Sequence, residues 1–165
     1  HLGEGATGEV DLCILDENQK VAVKVLSTGK RDFLDEEDKI STHVRLYHEL
    51  THEIQIMTRL EHPNIIRIIG ICEFPLRVIM EYAPCGDLHA IIRKQDTETG
   101  SFIPIANELS WNYRYHIALD IARGMQYLHS LNIVHRDLRS PNIFIMQKNS
   151  KEFKKGIIAK VADFG

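Results

Sequence analysis

The chain has 165 residues, 44% hydrophobic and 26% charged, the proportions of a globular protein with a sizeable core, which exclude a disordered or low-complexity class. A net charge of -3 without a dense basic stripe gives no reason to expect nucleic acid or an anionic membrane as the main partner. No apolar run reaches the length of a bilayer span, and no signal-peptide pattern opens the chain, which begins at His1 rather than a methionine. Cys13, Cys72 and Cys85 are odd in number and lack metal-ligand spacing, so reduced thiols and a cytoplasmic setting are expected.

Gly3-Glu4-Gly5-Ala6-Thr7-Gly8-Glu9-Val10 has G-x-G-x-x-G spacing and runs into the alternating Val10-Asp11-Leu12-Cys13-Ile14-Leu15. Glycine lets a backbone close over phosphates without side-chain clashes, but the same spacing serves dinucleotide-binding folds and plain turns. A dinucleotide fold requires strand, glycine turn and helix. Here a strand, a polar turn over Asp16 to Lys20 and a second strand, Val21 to Leu26, make a hairpin suited to cover a nucleotide. In Val21-Ala22-Val23-Lys24, alternation puts Ala22 and Lys24 on one face: a small residue to contact adenine, and an amine to reach the phosphates.

Ser27 to Lys39, with the acidic Asp35-Glu36-Glu37-Asp38, reads as a solvated connection. Ser41 or Thr42 can cap a helix reaching about Leu60, on which Val44, Tyr47, Leu50, Ile54, Met57 and Leu60 recur at helical spacing. Glu49 and Glu53 share a face of it, and both are candidate partners for Lys24. Ile65 to Cys72 and Arg77 to Glu81, split by a turn at Phe74-Pro75, complete a small antiparallel sheet. Asp87 can cap the next helix. A loop from Gln95 to Leu109 leads to Ser110, the expected cap of a helix from Trp111 to His129. On it Tyr115, Ile117, Ala118, Leu119, Ile121, Ala122, Met125 and Leu128 span roughly 200°, so neighbours are expected on two sides.

His135-Arg136-Asp137-Leu138-Arg139-Ser140-Pro141-Asn142 matches H-R-D-L-x-x-x-N at every fixed position. Such a pattern supplies a carboxylate, Asp137, to accept a hydroxyl proton, and a carboxamide, Asn142, to hold a metal ion on nucleotide phosphates. A strand over Ile143-Phe144-Ile145 follows, then a polar insertion from Gln147 to Gly156 whose Lys148, Lys151, Lys154 and Lys155 read as a solvated tip. A last strand, Ile157 to Ala162, ends in Asp163-Phe164-Gly165, the D-F-G pattern whose aspartate holds magnesium.

In this order the motifs resemble those of protein kinases along the whole chain. The resemblance implies an α+β, bilobal fold cut off after D-F-G: a small antiparallel-sheet lobe over about 1–80, a hinge over 81–88, and the start of a mainly helical lobe over 89–165. It implies ATP and Mg2+ as cofactors, with Gly3, Gly5 and Gly8 over the phosphates and Asn142 and Asp163 on the metal. Glu53 rather than Glu49 would pair with Lys24, because the family's glutamate lies roughly three helical turns before an H-P-N-I segment, here His62-Pro63-Asn64-Ile65. Val10 and Ala22 would lie above the adenine and Phe144 below it. Met80 would be the gatekeeper, Glu81 and Ala83 would bond adenine through their backbones, and Asp87 would accept from the ribose. The family pattern also implies a hydrophobic spine of Met57, Ile68, His135 and Phe164, with no proton-transfer role for His135, and regulation through Arg136 by activation-loop phosphorylation.

The segment from Met80 to Leu88, the segment from His135 to Phe144, and the insertion before Ala159 look like those of Roco kinases of the tyrosine-kinase-like group. That likeness implies a protein substrate and GTPase or repeat domains elsewhere in the full-length chain. Arg139 departs from the lysine of most Ser/Thr kinases and is shared with some tyrosine kinases, but it can still neutralise charge on the transferring phosphate. The expected activity is ATP-dependent phosphorylation of Ser or Thr hydroxyls in signalling; the alternatives are a tyrosine kinase or an ATP-binding pseudokinase scaffold. A scaffold has no chemical need for Lys24, Glu53, Asp137, Asn142 and Asp163 together. Without an activation loop or A-P-E segment, this stretch alone is expected to be inactive and marginally soluble.

Overall fold

A computed structural model describes residues 1–5, 8–26, 47, 51, 54–55, 57–72, 75–93, 110–148 and 156–163. The connection after Leu26, the caps Ser41 and Thr42, Glu49, Glu53, the Gln95 to Leu109 loop, the tip of the lysine insertion and Phe164 lie outside the described residues. The chain divides into two compact units, His1–Leu60 with Arg67–Tyr82, and Glu61–Ile66 with Ala83–Gly165.

The first unit is built on a sheet of order β1-β2-β3-β5-β4, with β1 Gly3–Gly5, β2 Gly8–Leu15, β3 Gln19–Leu26, β4 Ile68–Cys72 and β5 Arg77–Glu81. All its pairings are antiparallel. The β2–β3 turn is tighter than expected: a 3-10 turn over Asp16–Asn18 closes it, and Gln19 already belongs to the strand. Asp16 takes a positive φ of 41°, a conformation aspartate tolerates better than most side chains. The core is Ile54, Leu76 and Val78, packed by Tyr47, Ile68, Ile71 and Met80. Tyr47, Thr51, Ile54, Gln55 and Met57 are helical. Tyr47 and Ile54, seven residues apart, therefore fall on one helix face, as the apolar spacing predicts.

In the second unit β6, Ile143–Lys148, pairs antiparallel with β7, Gly156–Val161. Helix α1 spans Leu88–Arg93 and α2 spans Trp111–Ser130. Residues Glu61–Ile66 belong here rather than with the sheet that continues their chain. The cause is a short parallel pairing beside β7: Val161 N–H donates to Asn64 O at 2.9 Å, Ile66 N–H to Val161 O at 2.9 Å, and Asn64 Nδ2 to Ala159 O at 3.0 Å. Helix α2 packs against β7, and Gly124 admits the segment, since a Cβ there would stand 2.6 Å from Asn64 O.

Ser110 stands at the N-cap of α2 as expected, but its side chain makes no capping bond; its carbonyl opens the helix by accepting from Arg114 N–H at 3.1 Å. Burial along the wide apolar arc is uneven among the described residues. Ile117, Gly124 and Leu128 are buried, whereas Trp111, Tyr115, Ala118 and Ala122 are exposed. No described helix is long and apolar enough to cross a membrane.

Candidate functional site

Helix α2 delivers the chain to His135 through a left-handed C-cap. Asn132 has φ 59°, its N–H donates to His129 O at 3.0 Å, and Ile133 N–H reaches back to Leu128 O at 2.9 Å. This is the paired-bond ending in which asparagine can stand in for glycine. Two residues on, His135 is buried, and its Nδ1 accepts from Asp137 N–H at 3.3 Å. An imidazole used in this way orients the loop, in keeping with a structural histidine.

Asp137 projects outward, its side chain 55% exposed, and two donors meet on its Oδ2: Asn142 Nδ2 at 3.0 Å and Arg139 Nε at 3.0 Å. Asn142 also donates from Nδ2 to Asp137 O at 2.9 Å. Arg139 thus lies on the expected proton acceptor itself. Asn142 ends a 3-10 turn, Ser140–Asn142, whose second residue is Pro141. The turn is closed by Asn142 N–H to Arg139 O at 3.0 Å and by Ile143 N–H to Ser140 O, and the proline fixes φ within it. Ala162 N–H donates to Asn142 O at 2.9 Å, which extends the β6–β7 ladder by one bond and sets Asp163 one residue beyond it. Asp163 is exposed and has φ 58°.

The residues fit a magnesium ion. Both Nδ2 hydrogens of Asn142 are committed to Asp137, so its Oδ1 is the atom left to accept a cation, with the Asp163 carboxylate on the adjoining ladder end. Magnesium takes one or two protein oxygens together with phosphates and water, the number that Asn142 and Asp163 can supply.

The expected nucleotide-contacting residues are distributed over both units. In the first, β1 pairs with β2 through Gly3↔Val10 and Gly5↔Gly8, and Leu2 N–H donates to Val10 O at 2.8 Å. Lys24 lies opposite both Val10 and Val78, and Ala22 lies opposite both Leu12 and Met80. The central strand therefore presents Ala22 and Lys24 on one face, as its alternation predicts. The Lys24 partner Glu53 falls outside the described residues. Met80 packs on the core of this unit. Glu81 is clasped to Arg67, whose N–H donates to Glu81 Oε1 at 2.7 Å and whose carbonyl accepts Glu81 N–H at 3.0 Å.

In the second unit Ala83 O accepts Gly86 N–H at 3.2 Å, so that carbonyl is engaged in a turn and the amide is the group of Ala83 left for a ligand. Gly86 supplies the turn's positive φ of 75°. Its carbonyl accepts Ile145 N–H at 2.9 Å, and Asp87 bridges Phe144, so β6 holds the start of α1. Asp87 Oδ1 accepts from Ala90 N–H at 2.8 Å, the helix-cap role. Cys85 is buried, which pushes its thiol pKa up.

Asp120, Tyr127 and Gly124, on which this frame rests, are not anticipated from the sequence, and His62 figures there only as a landmark. Asp120 Oδ2 accepts from the buried Ala159 N–H at 3.0 Å, and Tyr127 Oη accepts from Glu61 N–H at 3.1 Å. His62 stacks on Tyr127 with centroids 4.8 Å apart, and its Nδ1 accepts from Asn64 N–H at 3.1 Å. Burial, then the Arg123 and Lys160 charges, hold the His62 pKa below its ordinary value. A lone glycine inside a helical pattern is the one available signal, and it marks close packing.

Known protein kinases are similar to this chain in sequence. The "Probable serine/threonine-protein kinase roco11" of Dictyostelium discoideum is 36% identical over 99% of this chain, which spans 10% of that protein. The "Probable serine/threonine-protein kinase pats1" of the same organism is 40% identical over 90% of the chain, here 4% of the relative's length. The "Discoidin domain-containing receptor tyrosine kinase B" of Caenorhabditis elegans is 35% identical over 99% of the chain, 17% of its own. Residues 1–165 match the family described as protein tyrosine and serine/threonine kinase, and the chain belongs to that family, with Roco kinases among its relatives.

Proposed function

We propose that the full-length protein transfers the γ-phosphoryl group of ATP to serine or threonine hydroxyls of proteins in signalling, in a cytoplasmic setting. The observation that carries this reading is the convergence of Asn142 and Arg139 on Asp137 Oδ2, which fixes the carboxylate through one oxygen and leaves Oδ1 to accept from a hydroxyl. Asp137 accepts the hydroxyl proton as the oxygen bonds the γ-phosphorus and the bond to the bridging oxygen of ADP breaks. Arg139, held beside the acceptor, is placed to neutralise charge on the transferring group. Asn142 and Asp163 would hold magnesium, which when bound would supply charge neutralisation along the phosphates. The glycine hairpin and Lys24, positioned by Glu53, bind the phosphates; Val10, Ala22 and Phe144 hold the adenine, with the Glu81 carbonyl and Ala83 amide on its edge and Asp87 on the ribose. The rest of catalysis is orientation and electrostatics.

The serine/threonine preference is supported by the names of the Roco relatives. Tyrosine transfer is the second reading, favoured by Arg139 and by the receptor tyrosine kinase relative. Phospho-amino-acid analysis of substrate labelled by the full-length protein with Mg-ATP, beside Asp137→Asn, tests both. Label on serine or threonine, lost by a factor of roughly 10²–10⁴ in the variant, is the expected result. Label on tyrosine would overturn the preference, and nucleotide binding without transfer would leave an ATP-binding scaffold.

A further inference from the structure

The 3-10 turn that carries Asn142 touches a helix outside the H-R-D-L-x-x-x-N motif. Helix α1 packs against Ser140–Asn142, and at that contact the half-buried Ser140 Oγ lies 3.4 Å from Nδ1 of the half-buried His89. Ser140 is the first residue of its turn, and its hydroxyl is turned to His89.

The connection onward is stiff. Ser140 O accepts the Ile143 N–H, Asn142 N–H reaches Arg139 O at 3.0 Å, and Pro141 lies between, so the turn moves as a piece. Asn142, at its end, holds both the backbone carbonyl and Oδ2 of Asp137. On the other side, His89 is fixed because Asp87 caps the first turn of α1 at 2.8 Å and is itself bridged to Phe144. The contact is neutral to tautomer, since a serine hydroxyl can either donate to Nδ1 or accept from it.

Resting on the kinase reading above, we infer that His89 is a positioning residue for phosphoryl transfer. Through Ser140 it holds the turn that places Asn142 against Asp137, and it touches neither nucleotide nor acceptor hydroxyl. Loss of the contact lowers kcat and raises the magnesium concentration needed for half-maximal rate, while KM for the protein substrate stays within two-fold, a split that general destabilisation does not produce.

The test uses the full-length protein with His89→Ala, Ser140→Ala, the double variant and His89→Asn, whose side-chain amide occupies the place of Nδ1. Each alanine variant is expected to lower kcat about five-fold, as for loss of one ordinary hydrogen bond. The double variant should be no worse than either single, because one contact is removed in all three, and His89→Asn should recover most of the rate. Hydrogen exchange at the Asn142 and Ile143 amides, which needs no catalysis, should speed up in the alanine variants and return to normal in His89→Asn. Multiplicative losses, a His89→Asn variant as slow as His89→Ala, or unchanged exchange would each overturn the inference. A wild-type protein without transfer that still shows the expected exchange pattern would sink the kinase reading and leave the positioning contact standing.

Discussion

Gly124→Ala sets two opposed effects against each other at a buried position of α2. In a helix interior alanine is favoured over glycine by about 1 kcal/mol, so propensity alone predicts stabilisation. The added Cβ would stand 2.6 Å from Asn64 O, 3.2 Å from Val161 Cγ2 and 3.3 Å from Ile65 Cδ1. Carbon and carbonyl oxygen settle at about 3.3 Å or more, so the carbonyl must retreat by roughly 0.7 Å. It is not free to do so, because it accepts Val161 N–H at 2.9 Å and its own side chain is tied to Ala159 O at 3.0 Å. Overpacking of this kind costs about 1–3 kcal/mol, and a backbone obstacle puts it in the upper part of that range. The expected net is destabilisation by about 1–2 kcal/mol, read as a lower denaturant midpoint with unchanged m-value. Ala122→Gly, at an exposed position of the same helix, calibrates the propensity contribution. A Gly124→Ala protein as stable as wild type, or more so, would refute the close approach of residues 61–66 to the helix.

Asp120→Ala should cost about 1–3 kcal/mol, since it strands the buried Ala159 N–H that Asp120 now accepts. Asp120→Asn, which keeps an acceptor oxygen, should recover most of that in the same unfolding measurement. His62 binds its proton less tightly when folded than its ordinary value of 6.5, so the unfolded chain takes up protons first as pH falls. Its stabilisation is complete above about pH 6.5 and lost on descending through the lowered folded value. His62→Asn, which retains an acceptor for Asn64 N–H but does not titrate, should flatten the fall of melting temperature on the acid side of that pH; an unchanged slope would exclude His62 as its source.

The chemistry was legible because its residues sit close together in the chain. Asp137 and Asn142 are five residues apart, and one 3-10 turn suffices to bring them into contact. The β2–β3 hairpin and the Ala22/Lys24 face follow from alternation, which is equally local. What escaped is long-range: nothing in His62-Pro63-Asn64-Ile65 announces that the segment leaves the sheet its chain is about to enter and pairs with β7, nearly a hundred residues on. The apolar arc on α2 signalled that the helix packs, but not that Gly124 would be the point of closest approach. Ser110 was legible as the cap position, but a side-chain cap and a backbone carbonyl cap look the same in sequence.

One motif residue adopts a backbone conformation its side chain does not favour. Of the four non-glycine residues with positive φ among the described residues, Asp16, Asn132 and Asp163 are of the types that tolerate it; Arg136, at 66°, is not. At Arg136 the left-handed residue separates a buried His135 from an outward Asp137, so the reversal turns one side chain in and the next one out. A non-glycine residue there costs roughly 1–2 kcal/mol, and the cost is concentrated where the loop must be aimed, as at other functional sites. Comparing Arg136→Ala with Arg136→Gly isolates it, because both remove the guanidinium and differ only in backbone freedom. The glycine variant should be the more stable by roughly 0.5–1 kcal/mol, the strain relieved less the greater entropy of its unfolded chain. It should also show the lower kcat, since nothing then holds Asp137 to one direction. An alanine variant at least as stable as the glycine one would mean that Arg136 is not held left-handed, and the inward and outward aims of His135 and Asp137 would need another cause.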